Sequence, residues 1–289
     1  MTTASTRELI ARAVDAGGAV LAFNVITLEH AEGVVDGLTR ANVPGIMQLS
    51  QRALEYHGDE VAPILGACAA LISAADVPIA LHLDHIQDLD LARRLIERAA
   101  EAGISSIMVD FAELDRSANV AGTRMAVAEA RAAGLFVEAE LGEIGGKDGA
   151  HAHGARTDPA DAERFVYETG VDALAVAIGS SHAMAIRDAR LDLELLGRLA
   201  QAVPVPLVLH GSSGVPDAEL VSAVSAGIRK VNVGTALNVA YTAAVRRVLD
   251  SRPALTDPRG YLREARDAVS ETVVEFCRVL GSASRGAQE

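Results

Sequence analysis

Short apolar runs recur along the chain and alternate with longer stretches of helical spacing. Eight runs have the character of β-strands, and their carboxyl ends fall at Asn24, Ser50, Asp84, Asp110, Leu141, Gly179, His210 and Gly234. The runs are continuous rather than alternating, which is typical of strands buried on both faces. The intervening stretches are rich in alanine and charge, and several end in glycine, the expected helix C-cap. Eight strand–helix repeats predict an α/β fold, a (β/α)8 TIM barrel.

A single domain over residues 1–289 is the simplest organisation, because α/β barrels reach this length undivided. Ser5 followed by Glu8 predicts a capped helix at the start of the chain. A C-terminal helical extension is predicted over about 256–281. A doubly wound open sheet would give a similar alternation, but the first predicted strand is not followed by the glycine-rich dinucleotide turn.

The charge and composition narrow the class of partner. The formal charge of −13 and the isoelectric point near 5.1 argue against nucleic acid as the main partner. We find no apolar run long enough to span a membrane and no secretory signal, and Cys68 and Cys277 lie in apolar helical contexts as expected of buried free thiols. We therefore expect a cytoplasmic protein whose partner is a small molecule, and local positive potential could attract a phosphorylated metabolite.

Polar residues cluster where the predicted strands end. In a barrel these ends form one catalytic rim. The residues are Asn24, Ser50, Asp84, His85, Asp110, Glu140, His182, His210 and Asn232.

Three of these residues are histidines on the third, sixth and seventh runs: His85, His182 and His210. A lone histidine usually satisfies a local hydrogen bond, but three on one rim beside carboxylates predict a metal site. Zinc suits three imidazoles best, with cobalt or iron as substitutes, and three ligands leave one position open for substrate.

The carboxylates beside the histidines have two possible uses. Asp84 could transfer a proton to or from a bound substrate, or it could orient a histidine. Strand alternation puts Asp84 and His82 on one face and turns His85 the other way or past the strand end. Asp110 and Glu140 are expected to orient the histidines or to take a displaced metal.

Two glycine-containing turns predict a phosphate site after the seventh and eighth strands, where barrels often bind phosphate. The candidates are Gly211, Ser212 and Ser213 in the first turn, and Asn232, Val233, Gly234 and Thr235 in the second. The glycine-rich segment over about 142–157 suits a mobile loop over the site, with Asp148 among the side chains that could reach in.

These motifs together resemble the class II, metal-dependent ketose-bisphosphate aldolases of the tagatose- and fructose-bisphosphate type. The matching segments are AFN, HLDH, MVD, EAELGEIGG, TGVDALAVAIGSSH, PLVLHGSSGVP, KVNVGT and DPRGYLREARDAV, which span almost the whole chain in the order of the family.

The resemblance implies aldol cleavage of a ketose 1,6-bisphosphate to dihydroxyacetone phosphate and glyceraldehyde 3-phosphate. It implies one zinc ion on the three histidines, Asp84 as the acid–base residue, and dihydroxyacetone phosphate held by the two turns, with Asn24 and Ser50 as further contacts. It also implies a monovalent cation, Na⁺ or K⁺, near that phosphate, and a homodimer or homotetramer.

The chain departs from the family pattern at three positions. Ala183 stands where the family has a glycine that helps to bind phosphate and cation. Asp148 stands where the loop of the family usually has a glutamate that handles the proton on the substrate carbon, and we expect Asp148 to take that role. Ile86 follows HLDH where fructose-type enzymes have glycine.

Three alternatives stay open. The substrate could be another phosphorylated sugar or a deoxy-ketogluconate phosphate. Lys230 shares strand parity with Asn232 and could support a Schiff-base aldolase, which would survive removal of metal. A barrel that binds phosphosugars without catalysing a reaction would explain the departures at Ala183 and Asp148.

Overall fold

The computed structural model describes residues 4–58, 62–141, 156–181, 184 and 186–286. Eight parallel strands close into a barrel in chain order, with the eighth paired to the first. The strands are β1 (Val20–Asn24), β2 (Gly45–Ser50), β3 (Ile79–Ile86), β4 (Ile104–Val109), β5 (Phe136–Leu141), β6 (Ala173–Val176), β7 (Leu207–Leu209) and β8 (Ile228–Val233). The predicted (β/α)8 barrel is confirmed.

The helices follow the strands as the sequence pattern indicates. They are α1 (Thr6–Asp15), α2 (Leu28–Ala41), α3 (Gln51–Tyr56), α4 (Ala62–Ala74), α5 (Leu89–Glu97), α6 (Ala99–Ala102), α7 (Arg116–Ala132), α8 (Pro159–Thr169), α9 (Leu193–Ala202), α10 (Asp217–Ala226), α11 (Thr235–Ser251) and α12 (Arg259–Gly286). Among the described residues, no helix has the length and hydrophobicity needed to cross a membrane.

The interior of the barrel has two halves. The lower half, toward the amino-terminal ends of the strands, is apolar, and the upper half, toward their carboxyl ends, is polar. Leu9 and Ile10 of α1 pack into the lower half against inward-facing side chains from the strands, so α1 closes the amino-terminal mouth of the barrel. Ser5 caps α1 and Glu8 completes the capping box, as predicted. The upper half holds buried polar side chains, namely Gln48, His82, Asp84, Ser106, Glu138, Glu140, Lys230 and Asn232.

The outer layer of the core lies between the strands and the helices. Alternate residues of β3 divide between the two layers: Leu81 and Leu83 join the outer core, whereas His82 and Asp84 face inward.

Cys68 and Cys277 are buried free thiols, as the sequence predicted. Burial raises the pKa of both thiols to about 12, so neither is a reactive thiolate at neutral pH.

The final helix, α12, packs along α2 and α11 on the outside of the barrel. Two glycines of α2 make this approach possible. A Cβ added at Gly33 would lie 2.7 Å from the carbonyl oxygen of Arg266, and one at Gly37 would lie 2.6 Å from the Cβ of Val273. Helix α12 occupies most of the predicted extension over 256–281, although it begins at Arg259 and ends at Gly286.

Candidate active site

A cavity of about 280 Å³ opens at the carboxyl ends of the strands. It lies on the rim where the polar strand ends were expected to meet, and most of the predicted site residues line it. Its walls are formed by Asn24, Val25, Ile26, Ser50, Gln51, Arg52, Asp84, His85, Gln87, Ser181, His210, Gly211, Ser213, Asn232, Gly234, Thr235 and Asn238.

Asp84 is buried, and two amides hold its carboxylate. Asn24 donates to Oδ2 at 2.8 Å, and Asn232 donates to Oδ1 at 3.4 Å. The side-chain amide of Gln48 donates to the side-chain oxygen of Asn24 at 2.7 Å and so fixes the orientation of the Asn24 amide. Burial raises the pKa of Asp84, but the charges of His85, His210 and Lys230 and the Asn24 hydrogen bond lower it below its ordinary value. Asp84 is therefore a carboxylate at neutral pH, able to accept a proton.

His85 reaches the same cavity because its backbone is irregular. Regular alternation after Asp84 would turn this side chain outward. The pairing of β3 with β4 shifts register between Leu83 and Ile86, and His85 has a left-handed φ of 49°. This bulge turns the imidazole back toward the cavity, where it lies beside His210. A non-glycine residue in this conformation is strained, and such strain is concentrated at functional sites.

The imidazoles of His85 and His210 face each other, and carboxylates hold their outer nitrogens. Asp110 Oδ2 accepts from Nδ1 of His85 at 2.8 Å, and Glu138 Oε1 accepts from Nε2 of His210 at 2.9 Å. The inner nitrogens, Nε2 of His85 and Nδ1 of His210, lie 2.9 Å apart. Carboxylates that fix the outer N–H leave the inner nitrogen of each ring as the atom available to a metal.

Two overlapping groups of side chains could hold a divalent ion. In the first, ligand atoms of Asp84, His85 and His210 all lie within 4.8 Å of one another, and in the second those of His85, Asp110 and Glu140 do so. Burial lowers the pKa of His85, but Asp84, Asp110 and Glu140 overcome it and raise that pKa to about 9. The acidic field that stabilises a protonated His85 would also stabilise a divalent cation, so these residues fit a metal.

Glu138 is a site residue that the sequence analysis missed. It is fully buried and bridges His210 to Lys230, whose Nζ lies 2.8 Å from Oε2. The strand sequence FVEAEL could have predicted that Glu138 faces the barrel interior, because alternation places it on the same inward face as Glu140. Lys230 points inward as its parity predicted, but it is fully buried in this ion pair and does not line the cavity.

His82 belongs to a buried chain of hydrogen bonds beneath the cavity. Its Nδ1 lies 2.7 Å from the hydroxyl of Ser106, which lies 2.6 Å from the hydroxyl of Thr6 in α1. Burial and the charge of Lys230 lower the pKa of His82 well below its ordinary value, so the ring is neutral. His82 therefore ties the closing helix to the polar interior.

The predicted phosphate turns form the wall on the β7 and β8 side. Gly211 has a φ of 66°, and a Cβ there would lie 2.5 Å from the carbonyl oxygen of Ser181, so only glycine fits. Ser213 accepts from the amide of Ala236 at 3.0 Å, which joins the first turn to the start of α11. Thr235 opens α11, a helix of 17 residues whose amino terminus faces the cavity.

Other predicted residues lie behind the wall or outside the described part of the chain. Ser212 is buried and donates to the Asn232 carbonyl, and the side chain of Val233 belongs to the outer core. Asp110 and Glu140 are buried behind His85. His182, Ala183 and Asp148 fall outside the described residues, as does most of the predicted loop over 142–157.

The structure locates one departure from the family pattern and corrects one predicted strand boundary. Ile86 is fully buried in the outer core, so the residue that replaces the glycine of the family does not narrow the cavity. Strand β6 ends at Val176 rather than Gly179, because Ala177 exchanges backbone and side-chain hydrogen bonds with Thr157. The residues that lead to position 182 therefore leave the barrel as a loop.

An eight-stranded barrel with buried carboxylates behind paired histidines on its carboxyl-end rim has the layout of a TIM-barrel enzyme site whose side chains could hold a metal ion. The sequence profile described as "Fructose-bisphosphate aldolase class-II" matches residues 4–285. The chain belongs to this family, and it is a carbon–carbon lyase of the aldolase class.

Solved structures agree with this assignment. The YdjI aldolase from Escherichia coli K12 is 32% identical, with a TM-score of 0.82 over 98% of this chain and 99% of that chain. A Coccidioides immitis protein, provisionally assigned as a fructose-1,6-biphosphate aldolase, is 29% identical with a TM-score of 0.85 over the whole of both chains. The fructose-bisphosphate aldolase Fba from Campylobacter jejuni, at 23% identity and a TM-score of 0.81, covers 95% of this chain and 93% of its own and shares the fold.

Proposed function

We propose that this aldolase is zinc-dependent and cleaves a ketose 1,6-bisphosphate, fructose or tagatose bisphosphate, to dihydroxyacetone phosphate and glyceraldehyde 3-phosphate. The observation that carries the proposal is the position of Asp84. Its ionised carboxylate, held by Asn24 and Asn232, lines the same cavity as His85 and His210. A base, two imidazoles and a phosphate-binding wall are thus within reach of one small sugar.

His85 and His210 would hold the divalent ion through their facing nitrogens, with His182 as the proposed third ligand. When bound, the ion supplies a Lewis acid that stabilises negative charge developing on substrate oxygens. Asp110 and Glu138 orient the two imidazoles through their outer nitrogens. Cobalt or iron would substitute for zinc, because imidazole binds all three.

Asp84 performs the proton transfer that starts cleavage. Its carboxylate accepts the proton of the C4 hydroxyl, the C3–C4 bond breaks, and C4 leaves as the carbonyl carbon of the aldehyde. The electron pair of the broken bond stays with the dihydroxyacetone phosphate half and is delocalised into its carbonyl group. A proton delivered to C3, in our proposal by Asp148, completes the reaction, and the reverse sequence is aldol addition.

The phosphate of the dihydroxyacetone half would lie against Gly211, Ser213, Gly234 and Thr235. Backbone N–H groups, two hydroxyls and the amino terminus of α11 meet there without bulky side chains. We place the monovalent cation, Na⁺ or K⁺, beside this phosphate together with Ala183. We further propose that the protein is a homodimer or homotetramer.

The Schiff-base alternative has less support. A nucleophilic lysine must be neutral and must reach the substrate. Lys230 is instead paired with Glu138 beneath the cavity and does not line it.

The test is an assay of bound metal coupled to an assay of cleavage. Fructose and tagatose bisphosphates are offered to the wild type and to Asp84→Ala, each with and without chelator. We expect one zinc per chain, activity lost with chelator and restored by zinc, and a loss of about 10²–10⁴-fold in Asp84→Ala. Full activity of Asp84→Ala, or activity in a metal-free protein, would contradict the mechanism.

A further inference from the structure

A second cavity, of about 590 Å³, lies on the outside of the barrel between α3 and α5. Leu54 and Glu55 of α3 lie on one side of it, and on the other side lie Leu91, Arg94, Leu95 and Arg98 of α5. We call it the α3–α5 groove. Cavities that bind small organic molecules usually measure about 300–1,000 Å³, so the groove is large enough for such a ligand.

The α3–α5 groove extends away from the rim that carries the active-site cavity. Helix α5 begins at Leu89, just past the carboxyl end of β3, and an α-helix rises about 1.5 Å per residue. Arg94 and Arg98 therefore lie about 8 and about 14 Å along α5 from its first residue. Among the described residues, Gln51 is the one that lines both cavities. The charged part of the groove is thus separate from the site at the strand ends.

The floor of the groove is apolar. Leu54 and Leu95 are buried, and Leu91 is half-buried. Leu91 and Leu95 are one helical turn apart on α5, so they form a continuous apolar strip. Helix α3 has six residues and ends at Tyr56, so it is shorter than α5. A ligand placed on this floor would remove its hydrocarbon part from water.

Arg94 and Arg98 present two exposed guanidinium groups to the groove. They too are one helical turn apart, so their side chains are neighbours on one face of α5. Neither guanidinium forms an ion pair or a hydrogen bond with any residue that the structure describes. Arg93, by contrast, is bonded to Asp90 and to Glu129 of α7. Helix α5 thus uses one arginine to hold its neighbour and leaves two at the groove.

The acidic residues of the groove cancel only part of this positive charge. Glu55 accepts from the side-chain amide of Gln51 at 2.8 Å, and Asp88 caps α5 by accepting from the amide of Leu91 at 2.9 Å. The third acid in the described lining is Glu97, which forms no ion pair with either arginine. Two permanent positive charges therefore face one negative charge in the lower part of the groove.

We propose that the α3–α5 groove is a second ligand site, which binds a phosphate monoester with an apolar body. The phosphate lies between Arg94 and Arg98, and the apolar body covers Leu91 and Leu95. The second pKa of a phosphate monoester is about 6, so near neutral pH it carries up to two negative charges and matches the two guanidinium groups. This inference does not depend on the proposed aldolase reaction, because neither arginine lines the active-site cavity.

The test follows methyl resonances of the full chain by NMR during titration with three probes. Leu54, Leu91 and Leu95 report on the groove, and Ile26, which lines the other cavity, reports separately on the active site. Phenyl phosphate carries both the anion and the apolar body, inorganic phosphate carries the anion alone, and benzyl alcohol carries the apolar body alone. We expect phenyl phosphate to shift the leucine resonances with a Kd at least about 10-fold below that of either other probe.

Substitutions on α5 then identify the groups that hold the phosphate. Arg94→Gln and Arg98→Gln should each raise the Kd of phenyl phosphate at the leucines by about 10–100-fold, because one charge-assisted contact is lost. Glu97→Gln should lower that Kd by about twofold or more, since it removes a like charge beside the phosphate. Arg124→Gln is the matched control: it removes an exposed arginine of α7 that lines neither cavity, and the Kd should stay within about twofold.

Three outcomes would overturn the proposed site. The leucine resonances might fail to move while Ile26 shifts, which would assign phenyl phosphate to the active site alone. The Kd at the leucines might be the same in the wild type and in both arginine variants. Benzyl alcohol might bind as tightly as phenyl phosphate, which would show that the groove does not recognise phosphate. Both arginines are exposed, so each variant should keep the urea midpoint of the wild type and report on binding rather than on folding.

Discussion

Nε2 of His85 and Nδ1 of His210 lie 2.9 Å apart, with the two rings edge to face at 84°. A separate carboxylate accepts from the outer nitrogen of each ring, Asp110 for His85 and Glu138 for His210. These carboxylates thus fix the tautomers of both imidazoles, and the two inner nitrogens can share a proton or bind a cation. In the proposed metal site, Asp110 and Glu138 would therefore orient the two ligands without touching the metal.

Metal should stabilise the folded protein through this pair. A ligand that binds only the folded state at about 100 times its Kd adds about 2.7 kcal/mol of stability. For a chain of this size we expect the Tm of metal-free protein to rise by on the order of 5 °C on addition of zinc. Differential scanning fluorimetry checks this, and His210→Gln should show little or no shift. A shift of the same size in that variant would remove His210 from the ligand set.

Lys230 should be needed for stability rather than for covalent catalysis. Lys230→Met leaves Glu138 buried without its cation, and breaking a buried ion pair in this way costs about 3–5 kcal/mol. The double variant Lys230→Met/Glu138→Gln removes the unpaired charge and should recover a large part of that loss. Urea unfolding measures the stability of the single and the double variant. In a separate experiment, borohydride with substrate should trap no adduct on the wild type. An adduct at Lys230 would revive the Schiff-base alternative.

The contact between α2 and α12 should depend on glycine. Gly37→Ala places a methyl group 2.6 Å from Val273, so one helix must move, and overpacking of this kind costs about 1–3 kcal/mol. Gly197→Ala is the control, because a Cβ at that position of α9 meets nothing within 4 Å. It should stabilise the protein by about 0.5–1 kcal/mol. If both substitutions raise the urea midpoint, the close approach of the helices is wrong.

His30 should make stability depend on pH. It is buried on α2 and stacks on Tyr241 with ring centroids 4.3 Å apart. Burial lowers its pKa from 6.5 to about 4, against the opposing effects of Glu29 and Asn238. Above pH 6.5 the ring is neutral in both states, and between pH 6.5 and 4 only the unfolded chain gains a proton.

The wild type should therefore lose about 3 kcal/mol more stability than His30→Gln over that interval. Urea unfolding at several pH values between 4 and 7 gives the difference. Parallel curves for the two proteins would show that His30 keeps its ordinary pKa in the fold.

The sequence was sufficient for the barrel and for much of its rim because both depend on local patterns. Continuous apolar runs located the strands, and the polar residue that follows each run, such as Asn24 or Asp84, marked the rim. The same reasoning could have identified Glu138, because strand alternation places it on the inward face with Glu140.

Other features depend on contacts that no local pattern carries. The bulge that turns His85 inward reflects the register of β3 against β4. Strand β6 ends early because Thr157, distant in sequence, takes its hydrogen bonds. Arg52 belongs to none of the predicted motifs, and only the closed barrel shows that it shares a cavity with Asp84.

The left-handed backbone at His85 has a consequence for how this enzyme could evolve. Glycine or asparagine would adopt that conformation with less strain, yet neither offers an imidazole. Histidine there suits the proposed metal site and opposes the conformational preference of the backbone. If His85 is a metal ligand as proposed, its replacement by glycine or asparagine would relieve the backbone and remove the ligand at once. Inactive relatives should then arise more readily through position 85 than through position 210, where the backbone is not left-handed.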